Sequence, residues 1–415
     1  MSAPSCDDPH NPGAIDIDSA HARIAAAIEP VAGDERVGLR DALGRVLAED
    51  LHTSFNIPPD TNAAMDGYAL RGVDLDASGH AGLTMVGTAW AGHPVDRRIG
   101  AGECARIMTG APVPAGADTV VMQERARADG ATVTIERGEP GSNVRAAGED
   151  LPAGGMALER GALIRPAELG VIASLGVTSV PVRCRPRVAL FATGDELFEP
   201  GQTLKPGGLY DSNRYTVWGM LTRLGMEIDD RGHLPDDREA VEASLLAAAA
   251  ENDAIITTGG VSVGAADHVA IVLREHGDVG FWQILMKPGR PLNFGFFGRA
   301  LMFGLPGNPV SAMVTFYQFV QPALGALAGA GYHRMPTLRA RTAEAFPKKP
   351  GRTEFHRGRR SVAADGTSEV QRVGPQGSGR LSSMARADCF VVIPADSGGL
   401  AAGEWVDVQP FEGLV

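Results

Sequence analysis

The chain has 415 residues, enough for about three domains at roughly 150 residues each, so a single small module is excluded. With 44% hydrophobic and 21% charged residues it is too apolar to be a disordered chain. Its 38 Lys and Arg against 50 Asp and Glu leave a net charge of −12, which repels anions over the whole surface. Nucleic acid and acidic membrane are therefore disfavoured as partners, and any anionic ligand needs a local basic pocket or a metal.

The first residues, Met1 to Gly13, carry acid, Pro and His in place of a basic stretch and an apolar run, and read as a frayed start. Ser19 to Ile28 reads as a helix, and Leu39, Leu43, Val46 and Leu47 repeat at helical spacing, so an opening run of helices is expected. From Gly82 to Glu136 the texture changes to short β-type runs, Leu83 to Val86, Thr119 to Met122 and Thr132 to Ile135, punctuated by Gly and Pro. A helix follows at Pro166 to Leu175, with Pro at its start and Gly176 just past its end. Packed against the first helices, it would make the β-rich module an insertion.

Between Arg187 and Ala328 strands and helices alternate: strand Val188 to Ala192, helices Ser212 to Leu224 and Asp236 to Ala250, strand Ala254 to Thr258, helix Ala266 to Glu275. That is the pattern of a mostly parallel sheet, and Glu239, three residues after Asp236, gives the second helix a start resembling a capping box. Past Met335 the runs shorten again, at Leu338 to Ala343, Val370 to Val373, Cys389 to Ile393 and Trp405 to Val408, as in a small β sandwich or barrel. The expected division is a helical and linker domain at 1–54 and 138–184, a β-rich module at 55–137, an α/β domain at 185–330 and a β-barrel domain at 331–415. Cys6, Cys104, Cys184 and Cys389 form no Cys-x-x-Cys, and no 18 apolar residues run uninterrupted, so a soluble protein of the reduced cytoplasm is expected.

Ligands of open α/β sheets sit beyond the carboxyl ends of the strands, which directs attention to four loops. Thr193-Gly194-Asp195-Glu196 sets two acids directly after a strand. Gly259-Gly260-Val261-Ser262-Val263-Gly264, with Asp267 opening the next helix, has the glycines that let a backbone approach a phosphate. The same segment fits the Gly-x-Ser-x-Gly pattern of a hydrolase nucleophile, but no His-Gly-Gly-Gly oxyanion motif accompanies it. Lys287-Pro288-Gly289-Arg290-Pro291 holds two cations on a stiff frame suited to an oxyanion. Gly304 to Ser311 ends a strand and opens a helix with Asn308 as N-cap and Pro309 at the first position. A basic stretch from Lys348 to Arg360 is short and contains one aromatic residue, Phe355, fitting a solvated face or a small-anion contact better than nucleic acid.

Taken with Met65-Asp66-Gly67-Tyr68-Ala69, Met108-Thr109-Gly110-Ala111-Pro112 and Gly148-Glu149-Asp150, and with Gly374 to Gly379 and Gly403-Glu404-Trp405-Val406, these segments in this order closely resemble the molybdopterin molybdenumtransferase family, which includes the E domain of gephyrin. The resemblance runs from about Ile17 to the C-terminus. It implies a four-domain chain of α/β plus β class, with a central molybdopterin-binding α/β domain similar to the adenylyltransferase that acts just before it. It implies insertion of molybdate into adenylylated molybdopterin with release of AMP, a requirement for Mg²⁺, and an elongated homodimer in contact with that adenylyltransferase. Carried onto this sequence, the family pattern puts Glu196 and Asp267 near the metal and pyrophosphate, with Asp236 or Asp237 a further carboxylate. Gly259, Gly260 and Ser262 would line the substrate. Lys287, Arg290, Arg357 and Ser378 would hold molybdate with help from Ser311, and Asp66, Thr109 and Asp150 would complete the site from the partner subunit. Arg290 departs from the Lys common in the family, which changes the geometry offered to the oxyanion. The alternative readings are a serine hydrolase acting through Ser262 and a scaffold that keeps the fold without catalysis.

Overall fold

A computed structural model describes residues 14–260 and 268–411. Its described residues form two compact units, one of 14–48, 161–166 and 179–411, the other of 49–160 and 167–178.

The larger unit is built on a seven-stranded mixed sheet. Ala300–Leu305, Ala254–Thr258, Arg187–Ala192 and Glu227–His233 lie side by side and parallel. Pro291–Phe297 and Gly277–Ile284 extend the sheet antiparallel on the Leu305 side, and Ala14–Ile15 adds a short parallel edge. The side-chain alternation of each strand sorts its residues between two cores. Val188, Leu190, Ile256 and Phe303 pack with Val217 and Leu221 of the helix Asn213–Arg223 and with the helical segments that begin at Pro309. On the opposite face Ala189, Phe191, Ile255 and Met302 pack with Val241 and Leu245 of the helix Arg238–Glu251 and with Val269 and Leu273 of His268–His276. Both faces being covered explains why residues 188–192, Ala254–Thr258 and Ala300–Leu305 are buried along their whole length, while the edge strand Glu227–His233 is polar.

The helix expected at Asp236 begins at Arg238, because Asp237 is its N-cap and accepts the Ala240 N–H at 2.9 Å. Asp236 is thereby left outside the helix. Near the N-terminus the expectation of helices fails beyond the first one, Ile17–Ala27. Only the single turn Leu39–Ala42 is helical; Asp34–Gly38 pairs antiparallel with Ser179–Arg183, and Val46 and Leu47 bridge to Leu163 and Val182. Those two apolar residues are buried by long-range pairing, not by a helical stripe.

The third part of this unit is a closed barrel of five strands in the order Thr353–Val362, Ser368–Arg372, Leu338–Thr342, Trp405–Pro410 and Cys389–Ile393, the last pairing back to the first. Its core contains Ala340, Val370, Val391 and Val408. Met286–Lys287 joins it as a sixth, parallel strand, with Lys287 opposite Glu354, so the barrel and the α/β sheet share backbone hydrogen bonds.

The smaller unit carries a six-stranded sheet in the order Thr119–Met122, Gly67–Leu70, Glu103–Ile107, Ala81–Ala89, Thr132–Ile135 and Ala126–Asp129. Gly67 sits mid-sheet where a Cβ would lie 1.9 Å from the Val121 carbonyl oxygen, so no larger residue fits there. The helix Pro166–Ser174 belongs to this unit from Ala167 onward.

Candidate functional site

The parallel strands bring three of the four loops to one edge of the sheet. Thr193 donates its N–H to the Thr258 carbonyl at 3.1 Å, Gly259 donates to Leu305 at 2.8 Å, and Leu234 donates to Ala192 at 2.9 Å. The fourth loop, Lys287 to Arg290, meets them there because Pro291–Phe297 runs antiparallel to Ala300–Leu305, with Asn293 opposite Gly304. Asn293 also donates through Nδ2 to the Gly260 carbonyl at 3.2 Å, tying the strand that leaves the Lys287 loop to the Gly259 loop. Gly259 has φ +96° and its Cβ would lie 2.4 Å from Thr193 Oγ1, so only glycine permits this approach. Ser262 and Asp267 lie outside the described residues.

Acidic groups collect on the first of these loops. The Glu196 carboxylate folds back over Gly194, and Asp195 faces Asp236, whose charge is the main cause that pushes the Asp195 carboxyl above its usual range. His268 Nε2 lies 3.4 Å from Asp236 Oδ1. His268 is tied to Asp236, thirty-odd positions away in the sequence. Among the described residues no three His, Cys, Asp or Glu groups converge as a metal site. Glu196 and Asp236 do not by themselves make such a site.

The cationic residues form a second cluster beside the first. A pocket of about 240 Å³ is lined by Lys287, Glu354, His356, Arg357, Arg372 and Gln376. Arg357 is 1% exposed and no carboxylate pairs with it among the described residues. Its Nε donates to Ser383 Oγ at 3.1 Å and its Nη2 to the Gly377 and Pro375 carbonyls at 3.1 and 3.4 Å. Burial lowers its guanidinium to about 10, still charged at neutral pH. Such a charge is costly to bury without an anion, which makes it a marker of an anion's place. Lys287 Nζ lies 3.2 Å from Glu354 Oε1, and Glu354 Oε2 is 2.8 Å from His356 Nε2. Arg290 follows Gly289 on the same turn, which rests on the helix Pro309–Thr315 near the Ser311 carbonyl and Thr315 Oγ1. Ser311 is buried, and the Ser378 carbonyl accepts the Val310 N–H at 3.0 Å, so the 374–379 loop meets the start of that helix.

Three elements were not singled out in the sequence. Glu354 is one; Asp211 and Arg214 are another. Arg214 is buried and bonds Asp211, Asp230 and Glu199, while Asp211 also holds His233 Nε2 at 3.0 Å. The third is Asn213, whose Nδ2 donates to the Gly307 carbonyl at 2.7 Å. Asp211 and Arg214 lie three apart at a helix start, which was the available signal. In the smaller unit, Asp66 Oδ1 accepts both the Thr109 N–H and its hydroxyl at 2.7 Å, and these bonds hold its carboxyl below the usual range. Asp150 is exposed in that unit, its N–H donating to the Ile57 carbonyl at 3.1 Å.

Comparison with known proteins covers nearly all of this chain. Residues 15–176 match the MoeA N-terminal region (domain I and II), 189–326 a probable molybdopterin binding domain, and 339–411 the MoeA C-terminal region (domain IV). A molybdopterin molybdenumtransferase of Haemophilus influenzae is 40% identical over 404 residues, 97% of this chain and 100% of the relative. The chain belongs to the molybdopterin molybdenumtransferase family. Another family member, from Staphylococcus aureus, is 33% identical over 380 residues, 90% of each chain. Among solved structures the molybdopterin biosynthesis MoeA protein of Pyrococcus horikoshii superposes with a TM-score of 0.82 at 31% identity, covering 96% of this chain and 100% of its own. The chain is thus a transferase of molybdenum cofactor biosynthesis, with the family's fold of mixed sheets, a central α/β domain and a closed C-terminal barrel.

Proposed function

We propose that this transferase inserts molybdate into adenylylated molybdopterin and releases AMP in a reaction that requires Mg²⁺. The observation that carries the reading is Arg357, a buried cation with no carboxylate partner among the described residues, facing one pocket with Lys287. Arg357 presents a fixed planar fork and Lys287 a mobile point charge, a combination that suits a tetrahedral oxyanion; Arg290, Ser311 and Ser378 would supply further donors to it. Gly259 and Gly260, both at positive φ, leave room for a phosphate to approach the backbone, with Ser262 two residues further along the chain.

The acidic donors fit a hard divalent cation. Asp195 and Asp236 repel each other in its absence, and oxygen ligands are what Mg²⁺ takes. Glu196, Asp236 and Asp267 would hold it, and when bound it would neutralise charge gathered at the phosphoanhydride. Asp66, oriented by Thr109, and Asp150 would complete the site from the second subunit of a homodimer. A cytoplasmic location accords with the free thiols of Cys104, Cys184 and Cys389.

The test is to mix the purified protein with adenylylated molybdopterin, Mg²⁺ and molybdate and to follow AMP and cofactor together. Both products are expected, in equal amounts, only when all components are present. Glu196→Gln and Asp267→Asn are expected to abolish AMP release in folded protein; near-normal turnover in either would remove that carboxylate from the mechanism. AMP release that ignores molybdate would overturn the insertion reading, and labelling of Ser262 by a serine-reactive phosphonate would revive hydrolysis.

A further inference from the structure

Among the described residues one carboxylate, Glu354, lines the pocket that holds Arg357 and Lys287, and it is itself built into the frame. Glu354 lies opposite Lys287 in a parallel strand pairing, and the pairing continues through the Thr353 N–H to the Leu285 carbonyl at 3.0 Å. The two partners differ in freedom: the Lys287 side chain is 54% exposed and that of Glu354 is 10% exposed. The carboxylate is therefore the fixed end of the ion pair. His356, buried against the Phe346 ring at 5.8 Å, holds its second oxygen. Burial opposes ionisation of Glu354, yet His356 and Lys287 together keep its carboxyl below the usual range. Arg372, the other cation at the rim, is already paired with Glu344 at 3.1 Å. Within the pocket Glu354 thus cancels the charge of Lys287 and leaves Arg357 uncompensated.

We infer that Glu354 is a specificity-determining residue that acts as a built-in competing anion, occupying Lys287 in the unliganded pocket so that a tetrahedral dianion must displace or share that contact to bind. The inference rests on the reading of this pocket as the molybdate site and deepens it. Two effects of the carboxylate oppose each other. Holding Lys287 in place saves the entropy of ordering one long side chain, a small gain. A fixed negative charge a few ångströms from a dianion repels it, and in a partly buried site that effect is the larger. Glu354 therefore weakens binding of every dianion and forces discrimination onto shape. A large oxyanion that reaches Lys287 and the Arg357 fork together makes up the deficit, whereas a smaller one such as sulfate does not.

The test compares the intact wild-type protein with Glu354→Gln, using equilibrium dialysis with molybdate and sulfate as competitor. The neutral variant is expected to bind molybdate about tenfold more tightly and to lose discrimination, with sulfate competing at lower concentration. In turnover its KM for molybdate should fall, while that for adenylylated molybdopterin stays within about twofold. Glu354→Asp keeps the charge and should retain wild-type selectivity; Glu354→Asn is a second neutral variant that carries the test should Gln at 354 fail to fold. Unchanged or weaker molybdate binding in the folded neutral variant would overturn the inference and leave Glu354 as a support for Lys287. A wild-type protein that binds no molybdate and releases no AMP would overturn the insertion reading itself, and the inference with it.

Discussion

Arg357 and the pair Asp236 and Asp237 show how far single residues commit themselves to one task. Arg357 spends its Nε and Nη2 on Ser383 and on two backbone carbonyls, which fixes the guanidinium plane. Arg357→Lys keeps the charge and removes the fork, so the KM for molybdate should rise about tenfold or more while the pterin substrate is little affected. The carbonyls left without donors should also cost about 1–3 kcal/mol, read as a lower urea midpoint. Equal losses for both substrates would mean that Arg357 grips phosphate instead. Asp237 is used as a helix cap, which leaves Asp236 to face Asp195 and His268. The sequence supports either acid as the functional one, because a cap is recognised only once the first helical residue is known. Glu354 is not legible for a related reason: it shares one face of a strand with His356 at i and i+2, but its meaning comes from Lys287, which is 67 positions away.

At the scale of elements, the turn from Lys287 to Arg290 depends on one glycine. Gly289 has φ +96°, and a Cβ there would lie 2.7 Å from Thr315 Oγ1 and 3.2 Å from Met286 Cε. Gly289→Ala should therefore destabilise by about 1–3 kcal/mol and raise the KM for molybdate, since both cations ride on that turn. Gly307→Ala is the control: its Cβ would meet nothing within 4 Å and its φ is not positive, so a change within about 0.5 kcal/mol is expected. Thermal melts of the two variants decide the point, and equal losses would show that the turn is not the sensitive element. The β runs Thr119–Met122, Thr132–Ile135, Ala254–Thr258 and Cys389–Ile393 were legible to the residue, because alternation or a short apolar run between Gly and Pro signals is a local property. The segment from Asp34 to Leu47 was not, because its partners begin about 115–145 residues later, at Leu163 and Ser179–Arg183, and apolar spacing alone cannot report a distant strand. The turn of π-helix at Phe316–Val320 inside the run from Pro309 to Leu327 goes with Pro322, which has no N–H to give the Gln318 carbonyl, a signal that marks an interruption without saying of which kind.

At the scale of the whole molecule, a net charge of −12 coexists with a cationic pocket, so the site works against the field of its own surface and must be assembled from both sheets of the larger unit. Asp66 and Thr109 stand on the smaller unit, tied to each other, while the cationic and acidic clusters stand on the larger one. If the homodimer proposed above joins the smaller unit of one subunit to the larger unit of the other, two equivalent sites lie at a two-fold interface. An inactive Asp66→Ala protein and an inactive Asp267→Asn protein, mixed in equal amounts and allowed to exchange subunits, should then recover about a quarter of wild-type AMP release, since about half the dimers are mixed and each mixed dimer holds one intact site. Sites built within a single chain give the opposite result, because every site then carries one of the two lesions. Mass measurement of the exchanged dimers fixes the mixed fraction, and activity that stays at zero once mixed dimers are present would withdraw Asp66 from the partner's site.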